Sequence, residues 1–139
     1  RAISEFSMSR PTGIVVAASA ACAGLLGLTG GLPAAPADNG KLAFNNLCRT
    51  CHSLKEDDNR LGPSLHRIFG AKAGQSSGYA YSQSLRQSGV TWNAATLDRW
   101  IQNPESVIPN NNMKPYNGLA DAAVRKSIVN YLKMSSEGS

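Results

Sequence analysis

Five consecutive residues carry most of the chemistry in this chain: Cys48-Arg49-Thr50-Cys51-His52. On a helical turn, positions i and i+3 project to the same side, so both thiols can reach the two vinyl groups on one edge of a porphyrin. The imidazole that follows lies close enough under such a ring to put a nitrogen on its iron. The spacing is therefore that of c-type haem attachment, with a thioredoxin-type dithiol or half of a zinc site as the alternatives. A second candidate stretch is Pro109-Asn110-Asn111-Asn112-Met113. A methionine in a polar loop is an odd choice for packing but a sensible soft thioether ligand. Met8 and Met134 compete poorly, since one lies in an N-terminal targeting segment and the other at the end of the last helical pattern.

Bulk composition narrows the class. With 139 residues, 17% charged and 6% aromatic, the chain makes one domain plus a tail, and its own core would be modest. A buried apolar cofactor would make good that deficit. The formal charge of +5 suits an acidic protein partner or an anionic membrane surface. No basic stripe interleaved with aromatics accompanies it, so nucleic acid is not expected.

Residues 1–37 read as a targeting segment. Arg10 precedes an uncharged run from Gly13 to Leu32, and Ala35-Pro36-Ala37 has the small-x-small pattern of a signal-peptidase site. An uncleaved anchor is the competing reading, because about twenty uncharged residues just span a bilayer. Cleavage would leave residues 38–139, with Cys48 and Cys51 as the only cysteines. Exported thiols oxidise or are capped, and haem attachment is the capped outcome. The location expected is thus the periplasm, or the periplasmic face of the membrane if the segment is retained.

The elements that must position these groups are helical. Asp38 and Asn39 are N-cap types for a helix starting at Gly40, and Leu42, Phe44 and Leu47 lead its apolar face into the motif. Gly40 and Phe44 share that face, where a missing side chain permits close helix approach. Residues 68–84 read as a long loop, suspect unless it wraps a cofactor. Asn93 caps a helix of about 94–103 stopped by Pro104, with Leu97, Trp100 and Ile101 on one face. A last helix, about 120–134, presents Val124, Ile128, Tyr131 and Leu132, expected to pack across Gly40 and Phe44.

Taken in order, these residues resemble the class I cytochromes c, in particular the small mitochondrial-like group of bacteria (cytochrome c2-like). The matches are Gly40 and Phe44, the Cys48/Cys51/His52 motif, Gly62-Pro63 with Leu65-His66, Phe69-Gly70, Gly78 to Ser82, Trp92, Leu97, Asn103-Pro104, Pro109 with Met113, and Tyr131-Leu132-Lys133. They cover about residues 38 to 134. The resemblance implies an all-α fold, three main helices plus short ones around one covalent haem c. It implies iron held by His52 and Met113, and the Pro63 carbonyl accepting from the His52 ring, which orients a metal-bound imidazole. Tyr81 and Trp92 would donate to a buried haem propionate, and Trp100 would stand beside the sixth ligand where tyrosine is usual.

The chain also departs from the family. Ala71 stands where an arginine usually serves the propionates, and Asn110 replaces the usual glycine after the proline. Lys114 follows the methionine, where a lysine normally precedes it. His66, the only other histidine, is not used by the family. The function implied is one-electron shuttling in a respiratory or photosynthetic chain. Donors would be of the bc1 type; acceptors would be an oxidase, a reaction centre or a periplasmic dehydrogenase. With both axial positions filled the protein would be a monomeric carrier and not an enzyme. Arg49, Arg67 and Lys114 lie near motif residues and are candidates for a basic rim around an exposed haem edge.

Overall fold

The computed structural model describes residues 36–138; the targeting run expected over 1–37 lies almost wholly outside the described residues. Among the described residues five helices follow one another: α1 Pro36–Leu47, α2 Gln83–Gln87, α3 Ala94–Gln102, α4 Pro104–Val107 and α5 Ala122–Glu137. Three are long and two short, as expected, and among the described residues the only extended pairing is an isolated bridge between Lys72 and Thr91.

Helix α1 starts at Pro36 rather than Gly40. Proline's fixed φ suits the first helical position, where its missing N–H costs nothing. Asp38 consequently sits in the first turn and not at the cap. Helix α3 has the reciprocal cap its sequence implies: the Asn93 side chain accepts from Thr96 N–H at 2.9 Å, and Thr96 Oγ1 accepts from Asn93 N–H at 2.8 Å. It ends at Gln102, one residue earlier than the pattern suggested. Asn103 then closes α3 and caps α4, with its side chain accepting from Ser106 N–H. Helix α5 starts two residues later and ends three residues later than expected. Asp121 caps it, accepting from Ala123 and Val124 N–H. At its far end the Ser135 and Ser136 hydroxyls donate back to the Tyr131 and Leu132 carbonyls. The long loop gives way at Ser82, whose hydroxyl caps α2.

Helices α1 and α5 cross at Gly40. A Cβ there would overlap the Ser127 carbonyl oxygen and lie 2.8 Å from Tyr131 Cβ. One turn on, the Phe44 and Tyr131 rings meet at 5.7 Å. The buried core is Phe44, Trp92, Leu97, Trp100, Ile101, Ile108, Ile128, Val129 and Leu132, with Ala73. It is drawn from all three long helices, and several of its members also face a cleft. Arg125, 6% exposed, ties α5 to α3 through Asp98 at 2.9 Å and to the preceding chain through the Leu119 and Ala120 carbonyls.

Candidate functional site

The motif lies where α1 runs out. Past Leu47 the chain stays coiled for one more turn: Cys48 N–H donates to the Phe44 carbonyl at 2.8 Å and His52 N–H to the Cys48 carbonyl at 2.9 Å. This keeps Cys48, Cys51 and His52 on one side. The next segment folds back over them, with Gly62 N–H donating to the Cys51 carbonyl at 2.7 Å and the Arg60 guanidinium to the Arg49 carbonyl at 3.1 Å.

His52 is buried, and its Nδ1 lies 2.8 Å from the Pro63 carbonyl, the bond the Gly62-Pro63 pair implied. A carbonyl can only accept, so Nδ1 carries the proton and Nε2 is left with a free lone pair. Burial lowers the ring's pKa, partly offset by the Pro63 bond, so the imidazole is held neutral, the form that ligates a metal. Gly62 is packed flat against this ring, and a Cβ there would stand 2.8 Å from Nδ1 and 2.9 Å from Nε2.

The two thiols are free and half-buried. Burial, with Cys51 adding to it, pushes the Cys48 thiol up to about 11. A dithiol redox catalyst needs the opposite shift, toward thiolate.

One cleft of about 450 Å³ adjoins the motif, within the usual range of about 300–1,000 Å³ for a cofactor site. All eight residues singled out in the sequence line it: Cys48, Cys51, His52, Pro63, Tyr81, Trp92, Trp100 and Met113. His66 does not. Tyr81 is half-buried and stacks edge-on against Tyr79 at 4.9 Å. Burial raises its pKa, so its hydroxyl stays a donor. Trp92 and Trp100 are buried with ring centroids 5.3 Å apart. Ile68, Leu85, Leu97, Ile101, Ile128 and Leu132 complete a mainly apolar wall. Two free thiols and a neutral imidazole at one end of such a cleft fit a covalently held planar macrocycle.

Met113 reaches the cleft on a loop with a defined shape. Asn110 takes φ +59°, the left-handed conformation that the usual glycine would supply and asparagine tolerates. Asn111 is 4% exposed and fully bonded. Its amide nitrogen donates to the Ile108 carbonyl at 3.0 Å and to Glu105, and its oxygen accepts Met113 N–H at 2.9 Å. Beyond Met113, the Tyr116 hydroxyl and Leu119 N–H both donate to the Ile101 carbonyl.

Sequence reading missed Asn111, Glu105 and Tyr116. Asn111 was legible only as part of a polar loop, and Glu105 only as the residue after Pro104, where the helix stops. Of the three basic residues proposed for a rim, Lys114 lines the cleft, paired with Glu105 at 2.8 Å, while Arg49 and Arg67 do not; Lys72 lines it unforeseen.

Fold and cleft together define a small helical protein of the c-type haem class. The comparisons agree: the cytochrome c family model matches residues 37–136. A cytochrome c2 iso-2 of Magnetospirillum molischianum is 40% identical over 63% of this chain and 89% of that protein. A cytochrome c of Gibberella zeae is 37% identical over 68% and 89%. The solved structure of cytochrome cH from Methylobacterium extorquens superposes with a TM-score of 0.64 at 37% identity, covering 70% of this chain and 97% of that one. The chain belongs to the cytochrome c family, class I, and is a one-electron carrier with a covalently bound haem c under the family's His/Met ligation.

Proposed function

We propose that Cys48 and Cys51 would carry the haem thioethers, that His52 Nε2 and the Met113 sulfur would hold the iron, and that Tyr81 and Trp92 would serve the propionates. The observation that carries this reading is the convergence of Cys48, Cys51, His52 and Met113 on one apolar cleft whose lining does not include His66. The haem supplies the one-electron couple. This chain's residues would hold it, keep the imidazole neutral by burial and oriented through Pro63, and exclude water with the Trp92–Trp100 pair and the aliphatic wall. A thioether opposite histidine favours reduced iron and raises the potential relative to two histidines.

With His52 and Met113 both holding the iron, no position would be left for oxygen or peroxide, which supports reading the protein as a carrier and not an enzyme. The reading includes export to the periplasm after cleavage behind Ala37, and action as a monomer. A bc1-type complex would be the donor; an oxidase, reaction centre or periplasmic dehydrogenase would accept. The basic surplus, twelve Lys and Arg against eight Asp and Glu from Asp38 onward, suits an acidic partner surface and would mainly speed encounter.

Absorption spectroscopy tests the ligand set. Met113→Ala should abolish the weak sulfur-to-iron band at the red end of the oxidised spectrum, lower the potential and open the iron to imidazole and cyanide. An unchanged spectrum would assign the sixth position to His66 or Lys114.

A further inference from the structure

The segment from Pro109 to Pro115 contains no helix or strand, and side-chain bonds supply much of its order. Much of that order converges on one carboxylate. Glu105, the second residue of α4, accepts the Asn110 backbone N–H on Oε1 at 2.8 Å. Its Oε2 accepts from the Asn111 side-chain amide at 3.1 Å and from the Lys114 ammonium at 2.8 Å. Two of these donors precede Met113 and one follows it. Asn111 relays the constraint directly, since its own oxygen receives Met113 N–H. The relay is buried even though Glu105 is exposed.

A surface glutamate–lysine pair alone is worth little, and stabilisation is not what sets this group apart. Its distinction is that one side chain bridges both arms of a loop whose middle residue faces the cleft. The Lys114 ammonium, and next the Asn110 N–H, hold the Glu105 carboxyl below its usual range, so the bridge stays charged at neutral pH.

We propose that Glu105 is a positioning residue for Met113: it bridges the two arms of the loop and thereby sets how firmly the thioether stays on the iron. This rests on Met113 being the sixth ligand. When the sulfur swings away, the vacated position is open to an added ligand, so the apparent affinity for that ligand rises with the released population. Loosening the loop therefore reads out as tighter binding of imidazole, a quantity independent of electron-transfer activity.

The test uses the haem-loaded full chain, oxidised, titrated with imidazole. Glu105→Ala should bind imidazole about tenfold more tightly than the parent, the effect of losing roughly one charge-assisted hydrogen bond's worth of restraint. Without imidazole its sulfur-to-iron band should remain, because the released fraction stays a minority even when it rises tenfold. Glu105→Gln keeps an amide oxygen for one donor but loses the charge, and should fall between the two. Asp121→Ala removes the α5 cap, a stability loss of similar order, without touching the loop, and should leave imidazole affinity unchanged. Parental affinity in Glu105→Ala, with the band intact, would overturn the proposal. So would an equal gain in Asp121→Ala, which would make the effect general destabilisation. A parent protein that lacks the band and binds imidazole as tightly as Met113→Ala would overturn the ligand reading as well, whereas a normal parent beside an inert Glu105→Ala overturns this proposal alone.

Discussion

A methyl group at Gly62 would meet the face of the His52 imidazole at under 3 Å from both ring nitrogens. Neither side can retreat cheaply, because the ring's Nδ1 is committed to Pro63 and Gly62 itself is tied to the Cys51 carbonyl. Gly62→Ala should therefore rotate the ring off its carbonyl bond and misdirect Nε2. Overpacking of this kind costs about 1–3 kcal/mol, here concentrated on a ligand. The expected result is a lower yield of haem-loaded protein and a reduced-state spectrum altered from the parent. A parental spectrum together with a parental melting temperature would show that the contact does not orient the ring.

Between elements, the α1–α5 crossing is set by one absent side chain. Glycine in a helix interior ordinarily costs about 1 kcal/mol relative to alanine, so on propensity alone Gly40→Ala would stabilise. Here the added carbon would overlap the Ser127 carbonyl and crowd Tyr131, and a backbone oxygen cannot swing aside. The helices would have to separate, disturbing the Phe44–Tyr131 contact. We expect Gly40→Ala to lose about 1–3 kcal/mol, measured by denaturant unfolding of the haem-loaded protein. A gain in stability would mean that the helices slide apart at no cost. Helices α3 and α4 show the other way of joining elements: Asn103 serves as the last cap of one and the first of the next, and Glu105 follows two residues on.

On the scale of the whole molecule, the core and the cleft share Trp92, Leu97, Trp100, Ile101, Ile128 and Leu132. The hydrophobic interior is thus arranged around the cofactor and completed by it. Maturation bears on the same scale. Cleavage behind Ala37 would remove Pro36 and Ala37 from α1 and leave Asp38, an N-cap type, at its new beginning. Mass measurement on protein from the native host should place the N-terminus at Asp38 or within a residue or two. Membrane-bound protein that retains Gly13 to Leu32 would establish the anchor instead.

The chemistry of this protein was written into short-range patterns. A CxxCH spacing, a proline eleven residues beyond the histidine, and a methionine in a polar loop each carry their meaning in residue type and distance along the chain. So do the helix faces, because burial repeats with the period of the helix. Helix ends were legible only to within one to four residues: Pro36 extended α1 backward and Gly138 closed α5 beyond the expected stop. What only the tertiary structure decided is which polar groups meet. Glu105 merely follows the proline that stops α3, and Asn111 lies in a polar run, so neither carries a signal of its own in the sequence. Their roles arise because α4 turns the chain back so that residues six and nine positions apart share one carboxylate. Lys72 reaches the cleft while Arg49 does not for the same reason: nearness in sequence governs the direction of a side chain over one or two turns, and beyond that the path of the loop governs it.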